Sequence, residues 1–480
     1  MPLSRREFLA SSAAMLAVPG PADLDLAIVD GHVFASVTAE RSNQEAMLGF
    51  WPMNIGIRDG RIVSLTRKPL KAKRVIDAKG LYVSPGFIDL INHGPNIEND
   101  RLQALDGVTT KLQMEAGVPN VAEWYAQQRG KRLLNYGAAA SHIHARTAHF
   151  GGWDKAEKAV ASDADIAEIG DHVERGLREG GLGVGFGLEY QPGTTRWEVI
   201  EMFRIAGRHR AACHVHARYG TLLEEQHNLT AIEELIAASV ASGAPLHIVH
   251  VPSMALRNTD KALRLIEAVQ KRGHDVTCDF YPYTAFSTSI DSEVFAPGWQ
   301  EKFGISYGDL EWAATHERLT AETFAKYQKQ GGSVIAHAIP EDAVRAAVKS
   351  PATMVGSDGG LSNGIGHPRA TGTFARVLGY YARQERLISM EQAVEKMTLL
   401  PARRMEKRVP AFRRKGRILM GCDADLAIFD PNKVADRATF DRPAETSVGM
   451  HWVLVGGTPV VAEGKLVEGP MPGQPIRAQG

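Results

Sequence analysis

Two histidines and an aspartate stand where short apolar segments end, and their side chains could bind a metal. His216 and His250 each end a segment of strand length, and Asp358 ends a third in the sequence Gly-Ser-Asp-Gly. Neutral imidazole suits zinc, and carboxylates complete such sites. A single buried histidine is more often a hydrogen-bonded core residue, and Ser-Asp-Gly alone is a turn sequence. The three residues together favour a metal site.

These segments belong to a series of eight that alternates with helical patterns between about Pro85 and Arg404. Such alternation predicts βα units around a parallel sheet, and eight units predict a (β/α)8 barrel. The predicted strands are Phe87–Ile91, Thr109–Glu115, Tyr136–His142, Gly183–Glu189, Ala211–His216, Leu246–His250, Asp275–Tyr281 and Thr353–Asp358. Seven of them end on an ionisable residue, and the first reaches His93 two residues later. The carboxyl ends of barrel strands form the active-site face, so we expect these side chains to meet there.

Short β patterns with Asp-Gly turns occur at both ends of the chain, in residues 23–84 and again in 405–480. They predict a small β-sandwich built from both ends, with the barrel formed by residues 85–404. The predicted fold class is therefore α/β, a TIM-like barrel with a β-sandwich. Residues 284–350 are longer than an ordinary βα loop, which predicts a lid over the barrel mouth.

The composition excludes several functional classes. Lys plus Arg and Asp plus Glu both number 55 in the 480 residues, so no net charge attracts nucleic acid or an anionic membrane. The three cysteines, at positions 213, 278 and 422, do not predict a disulfide framework.

The first 22 residues have the pattern of a signal peptide. Ser4-Arg5-Arg6-Glu7-Phe8-Leu9 precedes an apolar stretch ending at Val18, which is too short for a stable membrane span. The paired arginines resemble the twin-arginine export signal. That resemblance implies the twin-arginine export machinery as a partner and a periplasmic or secreted location. The alternative is a cytoplasmic protein with an extended N-terminus.

Motifs along the chain resemble the amidohydrolase superfamily and, within it, the D-aminoacylase branch of N-acyl-D-amino-acid deacylases. Pro85-Gly-Phe-Ile-Asp-Leu-Ile-Asn-His93 resembles the first barrel strand of that superfamily, P-G-F-I-D-x-H-x-H. Further matching segments occur in the family's order: Asp106-Gly-Val-Thr-Thr, Gly187-Leu-Glu-Tyr-Gln-Pro-Gly, His214-Val-His-Ala-Arg, Tyr281-Pro-Tyr-Thr-Ala, His367-Pro-Arg-Ala-Thr-Gly-Thr-Phe and Gly421-Cys-Asp-Ala-Asp-Leu. They span nearly the whole chain after the signal peptide.

The resemblance implies roles for the strand-end residues. His216 and His250 match the histidines of the tighter metal site, and Asp358 matches the aspartate that is both a ligand and the general base. Ala116 stands at the position of the family's bridging cysteine. We interpret the neighbouring Glu115 as the carboxylate that takes its place. Alternatively, Glu115 pairs with a nearby arginine or lysine.

The first histidine of the family's His-x-His motif is missing. Ile91 occupies its position, and only His93 remains for the second, weaker metal site. We therefore expect one tightly bound Zn²⁺, held by Glu115, His216 and His250. Ile91→His is predicted to raise binding of a second zinc without being needed for the first.

Substrate contacts are expected from polar residues near the strand ends. Pro252 stands where the family has a lysine that binds the substrate carboxylate, so this role must fall to other residues. The substrate-binding candidates are Arg218, Tyr190, Tyr283, His142 and Arg369. Ordinary packing at the barrel mouth is the alternative for each. His142 and His144 form a second His-x-His, which could equally be a solvated pair, and His337 is a further candidate to line the pocket.

Together these assignments imply a zinc-dependent hydrolase of non-peptide amide bonds that deacylates N-acyl amino acids, of D configuration by resemblance. A zinc-bound hydroxide would attack the carbonyl, and Asp358 would pass the proton to the leaving amine. One alternative is a cyclic amidase or lactonase on the same site, although no strand-end lysine is positioned to be carboxylated, which argues against a cyclic amidase. The other is a catalytically inactive binding protein of the same fold. Ile91 favours this last alternative, and the intact Asp358 argues against it.

Overall fold

The computed structural model describes residues 24–37, 47–218 and 227–479. The predicted signal peptide, residues 1–22, lies outside the described residues. Within the described part of the chain, no helix is both long enough and apolar enough to cross a membrane.

Eight parallel strands form the centre of the molecule, each hydrogen-bonded to the next one along the chain. They are β1 (Phe87–Asp89), β2 (Val108–Val118), β3 (Asn135–Ser141), β4 (Gly183–Gly187), β5 (Ala212–His216), β6 (Leu246–Ile248), β7 (Val276–Phe280) and β8 (Thr353–Val355). The first and last strands meet just beyond their ends, where His93 N donates to Gly359 O at 2.9 Å and Asp358 N donates to Ile91 O at 2.8 Å. The predicted eight-stranded barrel is confirmed.

Several predicted strand ends lie beyond the hydrogen-bonded strands. β6 ends at Ile248 and β8 at Val355, while His250 and Asp358 follow two and three residues later. Both residues have left-handed backbone conformations, with φ of +33° at His250 and +51° at Asp358. This conformation cannot continue a strand, and it turns the side chain away from the β alternation. Non-glycine residues held in this region are often found at functional sites.

A bulge in β2 places Glu115 at the barrel mouth. Between Gln113 and Val118 this strand advances five residues, while its partner β3 advances only from Ala138 to Ala140. β4 lies close to the bulge because Gly185 has no side chain, since a Cβ there would come within 2.2 Å of Glu115 O. The Gly-x-Gly-x-Gly sequence of β4 therefore permits close strand packing at this point.

Helices surround the barrel and pack their apolar faces on it, in one large buried cluster. Many begin with a side-chain cap; Ser162, for example, forms a capping box with Asp165 at the start of Asp163–Arg178. The α-helices are Ile97–Ala104, Val121–Gln128, His142–Phe150, Trp153–Ala156, Asp163–Arg178, Arg196–Arg208, Asn228–Ser242, Val251–Ala255, Thr259–Lys271, Trp299–Phe303, Ala321–Gln330, Glu341–Lys349, Arg369–Arg376, Met390–Met397 and Leu399–Glu406. A π-helical segment, Val377–Gln384, continues the helix that begins at Arg369.

Strands from both chain ends form one nine-stranded sheet, in the part of the chain where the β patterns predict a β-sandwich. Along the sheet, eight of them lie in the order Lys465–Leu466, Thr458–Ala462, Met450–Val455, Leu426–Phe429, Tyr82–Pro85, Leu26–Val37, Met47–Arg58 and Arg61–Thr66, and the ninth, Arg74–Asp77, pairs with Leu26–Val37. Ile62 exchanges backbone hydrogen bonds with Gly421 and Cys422, so the sheet folds back on itself around an apolar core of its own. The predicted boundary between residues 404 and 405 falls within the helix Leu399–Glu406.

Most of residues 284–350 form a small subdomain beside the barrel mouth, while the last helix of this range, Glu341–Lys349, packs against the barrel helix Thr259–Lys271. The antiparallel sheet of the subdomain has Ser333–Ala336 in the middle, with Phe286–Ser289 and Leu310–Trp312 on either side. Aromatic rings join this sheet to the helices Trp299–Phe303 and Ala321–Gln330, with Phe286 packed on Phe303 and Trp312 stacked on Tyr327. We refer to residues 284–350 below as the insertion.

Candidate metal centre and active site

Three side chains of metal-ligand type converge at the carboxyl ends of the barrel strands. Glu115 lies in the β2 bulge, His216 ends β5 and His250 follows β6. Glu115 Oε1 lies 2.9 Å from His216 Nδ1 and 3.4 Å from His250 Nε2. All three residues are buried, and one ligand atom from each lies within 4.8 Å of the other two. A carboxylate with two imidazoles is a donor set that suits zinc.

Glu115 also belongs to a second group, which includes His93 and Asp358. Its Oε2 lies 3.2 Å from His93 Nε2, and this nitrogen lies 2.9 Å from Asp358 Oδ1. Ile91 has no donor atom and is fully buried in an apolar cluster of the barrel interior. The two groups thus share one carboxylate, an arrangement suited to one or two metal ions.

Buried partners orient the two histidines of the first group. His216 Nε2 lies 3.1 Å from Glu189 Oε2, and His250 Nδ1 lies 2.7 Å from Ser253 Oγ. The backbone N–H of His250 donates to Asp279 Oδ1 at 2.6 Å and so helps to hold its left-handed conformation. Contacts of this kind fix the tautomer and ring orientation of metal-binding histidines.

The site attracts positive charge. Burial lowers the pKa of His93, but hydrogen bonds to Asp358 and Glu115 outweigh this effect and raise the pKa to about 10. Contacts with Glu115 and Glu189 likewise overcome burial and raise the pKa of His216 to about 9. Burial alone would raise the pKa of Glu115, and the neighbouring histidines hold it well below its ordinary value. The carboxylates thus favour the protonated, positively charged form of the neighbouring imidazoles. A divalent cation bound here would supply that positive charge instead.

Arg369 lies beside Asp358 and keeps its carboxylate charged. Arg369 Nη1 is 2.8 Å from Asp358 Oδ2, and its Nη2 donates to Ser287 O at 3.1 Å. The guanidinium lies over the ring of Tyr281, 4.7 Å from the centroid. Burial raises the pKa of Asp358, but the charge of Arg369 and of nearby histidines outweighs it, so the pKa is lowered and the carboxylate is ionised at neutral pH.

A cavity of about 760 Å³ opens over both groups and has room for a small organic substrate. Its floor contains His93, Glu115, His216, His250 and Asp358, and its outer walls contain Trp153, Asp154, Glu157, Ile365 and, from the insertion, Ser287, Thr288, Ser289, Asp291, Ser292 and Ser333. Among the described residues that line it, Arg369 is the only arginine or lysine. The insertion therefore forms part of the cavity wall, in the position predicted for a lid.

Two of the five predicted substrate-binding residues line this cavity. Tyr190 follows β4, and its hydroxyl lies 3.0 Å from Thr288 Oγ1 of the insertion. Arg369 lies at the start of the helix that follows the Asp358 loop. His144 also lines the cavity, whereas its sequence neighbour His142 does not.

The other three candidates have partners outside the cavity. Arg218 Nε lies 3.1 Å from a Glu234 carboxylate oxygen, and His142 Nε2 lies 2.8 Å from Glu198 Oε1. The hydroxyl of Tyr283 donates to a backbone carbonyl at 3.4 Å. These pairings hold each side chain in a buried position outside the residues that line the cavity.

Some contributors to the site could not be assigned from the sequence. Lys302, on the helix Trp299–Phe303 of the insertion, forms an ion pair with Glu189, the carboxylate that orients His216. Glu189 was recognisable as a strand-end residue, but its role depends on where Lys302 lies. The contact of Ser253 with His250 could have been predicted from the sequence, because Ser253 follows His250 by three residues and so lies within one helical turn of it.

Comparison with known proteins agrees with this geometry. A family model described as the amidohydrolase family matches residues 74–461. The D-aminoacylase of Alcaligenes xylosoxydans xylosoxydans is 32% identical over 449 residues, covering 85% of this chain and 90% of that protein.

Solved structures are similar along nearly the whole chain. The N-acyl-D-glutamate deacylase of Bordetella bronchiseptica, in a crystal structure with zinc and a phosphonate mimic of the tetrahedral intermediate, superposes with a TM-score of 0.80 at 28% identity. A D-aminoacylase studied for its binuclear metal centre superposes with a TM-score of 0.78 at 25% identity. Each comparison covers 95% of this chain and 100% of the other chain.

Proposed function

Because the chain belongs to the amidohydrolase family, in its D-aminoacylase-like branch, it is a metal-dependent hydrolase, and we propose that it removes the acyl group from N-acyl-D-amino acids with zinc as its metal. One observation carries the proposal: Glu115 is shared by two ligand groups on the floor of a substrate-sized cavity, with the ionised Asp358 among them. The names of the relatives, which act on N-acyl-D-amino acids, support the substrate class.

We propose that zinc binds first to Glu115, His216 and His250, and that His93 and Asp358 offer a weaker second position. The first group is buried and has two imidazoles, whereas the second has one imidazole because Ile91 has no donor. When bound, zinc supplies Lewis-acid polarisation of the carbonyl and acidifies a water molecule.

Asp358 is positioned to move the proton in this reaction. Arg369 and His93 hold its two carboxylate oxygens, so the side chain is fixed at the cavity floor. Being ionised at neutral pH, it can accept a proton from the attacking water at one oxygen and return it to the amine that leaves. Its position on the cavity floor, beside the guanidinium of Arg369, suits this transfer.

Arg369 is also the best candidate to bind the substrate carboxylate. It lines the cavity, and a guanidinium can bind a carboxylate with two parallel hydrogen bonds. Tyr190 also lines the cavity, with its hydroxyl beside that of Thr288. This assignment replaces the lysine role that Pro252 cannot fill.

A paired assay tests the proposal. Purified protein, loaded with zinc, is offered N-acetyl-D- and N-acetyl-L-amino acids, a cyclic amide and a lactone. We expect hydrolysis of the D-amides, with kcat/KM reduced about 10²- to 10⁴-fold in Asp358→Asn and unchanged in Glu322→Gln, an exposed control. No turnover of any N-acyl-D-amino acid, or equal rates for wild type and Asp358→Asn, would refute it.

We also propose export by the twin-arginine route, directed by residues 1–22. The paired Arg5 and Arg6, which precede a short apolar stretch, support this proposal. Replacing both with lysine should retain the protein in the cytoplasm in a cell-fractionation experiment. An unchanged distribution would contradict the proposal.

A further inference from the structure

A second cluster of metal-ligating side chains lies outside the catalytic cavity. Glu311, His316 and Asp441 each offer one ligand atom, and these atoms lie within 4.8 Å of one another. Glu311 is on the insertion strand Leu310–Trp312, His316 lies in the turn that follows it, and Asp441 lies far along the chain, beyond the barrel. We propose that these residues bind a divalent cation of the zinc type, which fastens the insertion to the segment around Asp441.

The buried Glu311 is held as a ligating carboxylate would be. Its Oε2 lies 3.0 Å from His337 Nε2, and its Oε1 faces His316 Nδ1 at 3.4 Å. One oxygen is thus fixed by a neighbouring imidazole while the other is directed at the remaining ligands. Hydrogen-bonded carboxylates of this kind are common around protein metal sites.

Two arginines near the cluster compensate its carboxylates only in part. Arg442, which lines the cavity beside Asp441, pairs with Glu445. Arg318 Nη2 lies 3.6 Å from Glu311 Oε2, but its side chain is 49% exposed, so its compensation is screened by water. Glu311 and Asp441 together carry two carboxylates. A divalent cation bound between them would neutralise both.

The donor set selects the type of cation. One imidazole with two carboxylates suits zinc and neighbouring transition metals, because calcium and magnesium prefer sites made only of oxygen. His316 and Asp441 line a cavity of about 230 Å³, separate from the catalytic one, which gives a path for the ion. Ile365 lines both cavities.

A cation here would also act on the catalytic cavity. Phe440, next to Asp441, packs its ring against His337 and His367, with centroid distances of 4.7 and 5.1 Å. His367 lines the catalytic cavity. Fixing Asp441 therefore fixes Phe440 and, through it, one wall of the substrate-binding space.

Zinc stoichiometry tests this inference independently of turnover. Metal-depleted protein is equilibrated with buffered zinc, and bound metal is counted by mass spectrometry. Wild type should hold one equivalent more than Glu311→Gln or Asp441→Asn, and the extra thermal stabilisation by zinc should be lost with it. Glu322→Gln, which removes an exposed carboxylate of the insertion outside the cluster, should keep the equivalent.

A second variant covers the case in which Glu311→Gln fails to fold. Asp441 is exposed, so Asp441→Asn changes only the proposed ligand. His337→Gln should weaken binding of the extra equivalent about tenfold or more, as expected for a residue that orients a ligand. Equal zinc content in wild type and Asp441→Asn, or an equal loss in Glu322→Gln, would overturn the proposal.

Discussion

Replacing Glu189 with glutamine should weaken zinc binding at the barrel mouth. His216 faces Glu115 through Nδ1 at 2.9 Å and Glu189 through Nε2 at 3.1 Å. For Nδ1 to bind a metal, Nε2 must keep its hydrogen, and the Glu189 carboxylate favours that tautomer. Loss of an outer partner of this kind typically costs about 10- to 100-fold in metal affinity. At about 1.4 kcal/mol per tenfold change, the cost is about 1.4 to 2.8 kcal/mol.

The effect should be specific to this contact. Lys302, which also pairs with Glu189, is partly solvated, so its charge can be compensated by water when the ion pair is lost. The dissociation constant of the tightest zinc equivalent is measured by competition with a chromophoric chelator. Glu157→Gln is the matched control, since Glu157 lines the same cavity without contacting His216. A dissociation constant of Glu189→Gln within twofold of wild type, or an equal change in Glu157→Gln, would refute the reasoning.

Three further predictions concern the same site. Ile91→His should add binding of a second zinc at the barrel mouth without changing the affinity for the first, as measured by titration; if the wild-type barrel already binds two zincs, this interpretation is wrong. Asp279→Asn should weaken zinc binding and lower the free energy of unfolding by about 1 to 3 kcal/mol, because a buried donor from His250 loses a charged acceptor; urea unfolding measures this. When metal is removed with a chelator, the midpoint temperature of thermal unfolding should fall as pH rises from about 6.5 to 10. His93 and His216 have pKa values raised to about 10 and 9 in the folded protein, so the protons that stabilise it are lost over that range. A midpoint that is constant over this range would contradict the charge balance described for the site.

The sequence predicts the barrel well because its signal is local. Each barrel strand is a short apolar run, and the residues at its end must lie on one face whatever the details of packing. The order of the strands therefore places Glu115, His216 and His250 on one face of the barrel, and the family resemblance singles them out among the strand-end residues. The structure adds how this happens, through a bulge at Glu115 and a left-handed turn at His250.

The substrate side was harder to predict because it depends on distant partners. His142 ends a predicted strand as His216 does. Its imidazole, however, pairs with the buried Glu198 and does not line the cavity. Arg218 is drawn to Glu234 in the same manner. Nothing in the local sequence distinguishes these residues from Arg369, whose position depends on the docking of its helix beside Asp358.

The sheet shared by both chain ends has a consequence for the order in which the protein is made. The strand Tyr82–Pro85 leads directly into β1, yet one of its two neighbours is Leu426–Phe429. At ribosomal rates of about 5 to 20 residues per second, that neighbour emerges on the order of tens of seconds later. Until then the nascent chain carries an open strand edge, which is prone to wrong pairing. Synthesis of the last strands thus completes the support on which the first barrel strand, and with it His93, is held.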